Sequence, residues 1–152
     1  MNKHEDMIML GWREWVRLPD LGIEAIKAKV DTGARTSAIH AFKLRTFSDN
    51  GHDKVEFQIH PLQKNESTTV SCVADILDQR VVTDSGGHRE ERLVITTTLC
   101  VGTYSWPIEA TLTARDNMLF RMLLGRTALK GHAQVNPARS YLVGKKRRIK
   151  KV

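Results

Sequence analysis

The sequence predicts an all-β domain, a compact barrel or sandwich, on three observations. Apolar residues recur at every second position in several short stretches, the period of a strand with one buried face. Breaks rich in Gly, Asp and Asn separate these stretches at close intervals, as hairpin turns do. A helix is suggested in one place, from about Gly125 to Leu129, and it is short. Many short strands at close spacing with so little helix belong to barrels and sandwiches.

In chain order, Ile26, Ala28 and Val30 alternate with Lys27 and Lys29. Val55, Phe57 and Ile59 alternate with Glu56, Gln58 and His60, and the segment SDNGHD at 48–53 supplies the hairpin turn before them. Val70, Cys72 and Ala74 make a weaker case. Val81–Val82 and Leu93–Ile95 flank TDSGGHREER, a second hairpin with a double glycine at its tip. Leu99–Val101 then leads through a Gly102–Thr103 turn into Trp106–Thr113, where Ile108, Ala110 and Leu112 alternate with Glu109 and Thr111. Met122–Leu124 is an apolar run that ends abruptly at Gly125–Arg126.

At 152 residues the chain is long enough for one domain with a real core. No apolar run approaches the roughly 20 residues that span a bilayer. The N-terminal MNKHEDMIML carries acids and lacks an apolar segment followed by small cleavage-site residues, so the expectation is a cytoplasmic protein without a secretory signal. Cys72 and Cys100 are far apart, match no metal spacing and read as reduced thiols. The net charge of +7 is mostly local. Six cations lie within residues 145–152, leaving +1 for everything before them. Such a run reads as a disordered tail, either simply solvated or an arm touching RNA, a ribosome or an acidic protein.

Two motifs carry chemistry. Val30-Asp31-Thr32-Gly33-Ala34 sets a carboxylate directly behind a strand, and Met122-Leu123-Leu124-Gly125-Arg126 closes a second apolar strand on glycine about ninety residues later. In that order they resemble the retropepsin-type aspartic proteases. SGGHREERLVI, WPIEATLTARDNM, MLLGRTAL and PARSYLV extend the likeness to a small bacterial family labelled "ATP-dependent zinc protease". That family is associated with the enzyme that adds glutamates to a small-subunit ribosomal protein. The resemblance implies a closed barrel of retropepsin type over residues 1–144, with a flap hairpin and one short C-terminal helix. It also implies a homodimeric aspartic endopeptidase in which Asp31 is catalytic, Thr32 braces the two catalytic loops and Gly33 allows close backbone approach. Neither zinc nor ATP is expected to take part. The sequence has no HExxH, no cysteine pair and no phosphate-binding glycine loop with lysine.

A second triplet, Asp84-Ser85-Gly86, invites comparison with bilobed aspartic proteases, which use two such aspartates. Its 53-residue separation from Asp31 is too short for a complete lobe, and the double glycine reads as a hairpin turn. The active site then needs one Asp31 from each of two chains. By the same resemblance Ala34, Arg35, Gly86, Gly87, Arg89 and Arg126 line the substrate cleft, Gly86 and Gly87 as the flap tip. Retroviral relatives place an aspartate where this chain has Arg35, so Arg35 and Arg126 become two cations suited to acidic, glutamate-rich peptides. His88, Arg89 and Arg92 lie on the expected flap, diluted by Glu90 and Glu91, and Asp116 is an alternative internal partner for Arg35. Two other readings stand beside the peptidase: a module of the same fold that binds acidic peptides without cutting them, and a ribosome- or RNA-associated protein acting through its basic tail.

Overall fold

The computed structural model describes residues 7–62, 68–83, 86–114 and 119–144. Along these residues run β1 (Ile8–Gly11), β2 (Arg13–Leu18), β3 (Ile23–Val30), β4 (Ser37–His40), β5 (Phe42–Asp49) and β6 (His52–Ile59). They are followed by β7 (Val70–Thr83), β8 (Arg89–Val101), β9 (Tyr104–Thr113), β10 (Met122–Leu124), α1 (Arg126–Leu129) and β11 (Ala133–Asn136). The class is all-β, and α1 falls where the sequence placed its helix.

Nine strands form one sheet in the order β2-β3-β10-β4-β9-β8-β7-β6-β5, while β1 pairs with β11 in parallel. The long sheet has β2 and β5 at its ends. Among the described residues its return on itself is the single pair Arg17 and Cys100, between β2 and β8. The pairing thus gives a sheet that meets itself at one point, a coarser description than the closed barrel the resemblance implies.

The alternating stretches point as their periodicity demands. Ile26, Ala28 and Val30, then Val55, Phe57 and Ile59, then Ile108, Ala110 and Leu112 are all buried in one core. Asn50 and Gly51 turn β5 into β6 within SDNGHD. The stretches read as separate short strands around residues 70–83 and 93–101 are parts of two long ones, β7 and β8. A register shift between Ile76 and Asp78 breaks the alternation half-way along β7, which hides its length.

One fully buried acid ties the chain's two ends together. Glu14 on β2 accepts backbone N–H bonds from Gly11 at 2.6 Å and Leu142 at 3.0 Å on one oxygen, and from Val143 at 3.1 Å and Gly144 at 2.7 Å on the other. A buried carboxylate is tolerable when donors replace its water, as they do here. Both cysteines are buried and unbridged, and burial pushes the Cys72 thiol up to about 11. Residues 145–152, expected to form a disordered tail, lie outside the described residues. No helix among the described residues is long and apolar enough to cross a membrane.

Candidate active site

Strand β10 lies between β3 and β4, and this insertion builds the site. Ala28–Val30 of β3 pair in parallel with Met122–Leu124, while Ala38 and Ile39 of β4 pair antiparallel with Leu123 and Met122. The two strands that flank β10 are joined by residues 31–36, so the Asp31 turn wraps over the end of β10 where Gly125 and Arg126 begin. Backbone bonds fasten one to the other. Asp31 N–H donates to Leu124 O at 2.9 Å, Arg126 N–H to Ala34 O at 2.8 Å and Thr127 N–H to Arg35 O at 3.1 Å. Gly125 N–H donates to the buried Ser37 Oγ at 3.1 Å.

Only glycine fits at 125. A β-carbon there would stand 2.6 Å from the Thr36 carbonyl carbon and 2.9 Å from Ala34 O, both backbone atoms that cannot turn aside. The close approach permits the next contact, in which Arg126 Nη1 donates to the Thr32 carbonyl at 2.9 Å. The two motifs are therefore one constellation.

Within it, the Gly33 N–H donates to Asp31 Oδ1 at 2.9 Å and the Ala34 N–H to Asp31 O at 3.2 Å. This local turn holds one carboxylate oxygen on the backbone. Asp31 is half-buried, while the Thr32, Gly33 and Arg35 side of the turn is exposed. Among the described residues Arg35 makes no ion pair, and Asp116, its alternative partner, lies outside them. Arg126 is exposed, but it is not a second unengaged guanidinium, since Thr32 O occupies one of its nitrogens.

The hairpin expected to serve as a flap is formed by β7 and β8, in register from Ile76 opposite Ile95 to Thr83 opposite Arg89. Gly86 and Gly87 sit at its tip, Gly87 at φ 83, a backbone conformation that side chains disfavour. Asp84 and Ser85, read as turn residues, lie outside the described residues. Arg89 is exposed at the start of β8. Arg92 corrects the sequence reading. It is buried, donating to Glu90 Oε2 at 3.0 Å and to Thr111 Oγ1 at 3.3 Å, so it does not face a substrate.

That contact belongs to a polar chain the sequence did not reveal. Thr111 Oγ1 donates to Ser37 O at 3.0 Å, and the Ser37 hydroxyl accepts from Gly125. The β7–β8 hairpin is thereby wired through Arg92, Thr111 and Ser37 to the glycine beside the Asp31 turn. Helix α1 is fixed separately, by Trp106 Nε1 donating to Ala128 O at 2.7 Å. Serine, threonine and a glutamate–arginine pair are common on any strand, so nothing singled these out.

The geometry sets the Asp31 carboxylate, braced by backbone, at the junction of two strand ends. Comparison with known proteins decides the family. A model of the RimB-like family, described as retropepsin-like aspartic endopeptidase RimB, matches residues 9–146. The chain belongs to the RimB-like family of retropepsin-like aspartic endopeptidases.

Relatives agree over nearly the whole chain. A protein of Shewanella pealeana named probable alpha-L-glutamate ligase is 41% identical over 142 residues, 93% of this chain but 31% of that protein. Proteins of the same name from Desulfotalea psychrophila and Parasynechococcus marenigrum are 44% and 45% identical, each over 90% of this chain and 29% of their own length. The chain thus spans under a third of these relatives. A solved Legionella pneumophila protein of unknown function, 24% identical, superposes with a TM-score of 0.73 over 89% of this chain and 97% of its own, a likeness of fold.

Proposed function

We propose that the chain is one half of an aspartic endopeptidase for glutamate-rich polypeptides, two copies each bringing Asp31 to a shared site. The observation that carries this reading is the clasp between the Asp31 turn and Gly125–Arg126, which fixes one carboxylate oxygen and leaves the other for a proton or a water. Two carboxylates brought face to face cannot both ionise easily and share one proton. The ionised partner takes a proton from water as its oxygen attacks the scissile carbonyl carbon, and the protonated one gives its proton to the carbonyl oxygen. The aspartate that took the water proton then passes it to the amide nitrogen, the carbon–nitrogen bond breaks, and collapse of the tetrahedral diol to the carboxylic acid returns a proton to the other aspartate. Water and carboxylates suffice, so neither metal nor nucleotide is required.

The partner copy would add at β1 and β11, which pair with each other and with no further strand among the described residues. An unpaired strand edge offers N–H and C=O groups to which a second chain can add. Thr32, exposed beside Asp31, would meet its counterpart across the dimer axis and brace the two loops. Gly86 and Gly87 would let the flap close over bound peptide and exclude water. Ala34, Arg35 and Arg89 would line the cleft, with Arg35 taking a substrate carboxylate.

Two facts favour acidic substrates. Arg35 stands exposed four residues beyond Asp31, and the matching region of the relatives lies within proteins named for glutamate ligation. A chain region of this kind beside a ligase would act on the glutamates the ligase adds. Subunit mixing tests the shared site. Adding inactive Asp31→Asn chains should depress hydrolysis of a glutamate-extended peptide beyond simple dilution, because each mixed dimer lacks one carboxylate. Loss in strict proportion to dilution would show that each chain works alone.

A further inference from the structure

We propose that the outer face of β2 and β3 is a docking surface for the acidic stretch of a substrate polypeptide, outside the cleft. The inference rests on the glutamate-rich substrate proposed above. Alternation along β2 sends Glu14, Val16 and Leu18 inward and Arg13 and Trp15 outward, while β3 turns Lys27 and Lys29 outward. The register sets Arg13 directly opposite Lys29 and Trp15 opposite Lys27. Two cations facing each other across a strand pair destabilise a sheet. The face keeps them.

Rings hold the charges in place. Tyr141, at φ 54, donates its N–H to Arg13 O at 3.0 Å and sets its ring against both strands. Arg13 Cζ lies 4.6 Å from the Trp12 ring centre and 5.0 Å from that of Tyr141. Lys27 Nζ lies 5.3 Å from Trp15 and 5.9 Å from Tyr141. Ring and cation therefore alternate in the order Trp12, Arg13, Tyr141, Lys27, Trp15. Among the described residues Arg13, Lys27 and Lys29 make no ion pair, whereas Arg45, Lys54, Arg80 and Arg92 do. Of the acids between Arg13 and Lys27 in sequence, Glu14 is buried with both oxygens taken by backbone donors, Asp20 accepts the Thr98 N–H at 3.1 Å, and Glu24 stands at the far end of β3.

A surface of fixed, unneutralised cations complements a polyanion. The rings favour carboxylates over nucleic acid. Single-stranded nucleic acid binds by stacking bases on open aromatic faces, but here the rings are engaged with the cations. The position suits a substrate chain as well. Trp12 O accepts the Val30 N–H at 2.8 Å, so this row begins one residue from Asp31 and leads away from it along the hairpin. Trp15 N–H donates to Gly144 O at 3.1 Å, and Gly144 directly precedes the basic run KKRRIKK in the sequence.

The test uses the Asp31→Asn protein, which would hold peptide without cutting it, and fluorescein-labelled poly-glutamate read by anisotropy at low salt. Lys27→Gln with Lys29→Gln should weaken binding about tenfold, and Lys27→Arg with Lys29→Arg should restore it. In the Asp31-containing protein the same glutamine pair should raise KM for a long glutamate-tailed peptide, with kcat and the turnover of a short peptide unchanged. Unchanged affinity in the glutamine pair, or poly-uridine displacing the peptide more readily than free poly-glutamate does, would overturn the proposal. Binding that depends on Lys27 and Lys29 without any cleavage would support the surface and remove the peptidase reading. Cleavage with an unaltered KM would do the reverse.

Discussion

Arg126 reaches back across the fold to the carbonyl of Thr32, 2.9 Å away, and joins the two sequence motifs into one piece. The approach depends on Gly125, which has backbone on the side where a β-carbon would go. Gly125→Ala should destabilise the protein by about 1–3 kcal/mol, the range for forcing atoms into a packed site, and lower kcat by displacing Asp31. Arg126→Ala, at an exposed site, should cost stability only about 1 kcal/mol or less while lowering kcat/KM. Denaturant midpoints and peptide kinetics on both variants check this. An Arg126→Ala protein with full activity would show the clasp to be dispensable.

Glu14→Gln should be more damaging than its size suggests. The amide offers one acceptor oxygen where two served four N–H groups, and turns its own N–H2 toward two of those donors. Each buried donor left unsatisfied costs about 1–3 kcal/mol, so a loss of roughly 2–6 kcal/mol is expected for the pair. Urea unfolding measures it. A loss below about 0.5 kcal/mol, the range of ordinary surface changes, would mean that the chain ends are held by other contacts.

Glu14 also explains what the sequence concealed. REWVRL alternates perfectly in the fold, but one of its inward positions is a glutamate, so the period of β2 does not show as apolar and polar. Strand β4, SAIH, is buried at all four positions, Ser37 and His40 included, and has no alternation to find. In β5 the pattern is broken by a register shift between Phe42 and Arg45 and by an exposed Leu44. By contrast Ile26, Ala28 and Val30 were legible because one face is core and the other solvent. The Asp31 turn and Gly125–Arg126 were legible as motifs. The Arg92, Thr111 and Ser37 chain was not, because its meaning lies in contacts between residues that are ordinary singly.

Arg35→Asp should shift preference away from acidic peptides with little effect on folding. The guanidinium is exposed and permanently charged, so it would attract a substrate carboxylate at any working pH. Loss of one charge-assisted bond, about 1.5–3 kcal/mol, predicts roughly a ten- to hundredfold fall in kcat/KM on a glutamate-rich peptide, deepened by repulsion. A neutral peptide should lose far less. Equal losses on both, or a collapsed melting temperature, would make Arg35 a structural residue.

Hydrolysis should persist in EDTA and without ATP, because carboxylates alone activate the water in the proposed reaction. Activity assays after chelation and dialysis check this. Activity abolished by chelation and recovered only with zinc would contradict it.

The proposed reaction depends on the Asp31 carboxylate. The most direct measurement is mass spectrometry of a glutamate-extended peptide incubated with wild type, Asp31→Asn and Asp84→Asn, each first shown to melt at the wild-type temperature. Asparagine keeps the shape of the turn and can still accept the Gly33 N–H, but it cannot share or pass a proton. Cleavage products are expected with wild type and Asp84→Asn, and intact peptide with Asp31→Asn. Undiminished cleavage by folded Asp31→Asn would contradict the proposed reaction.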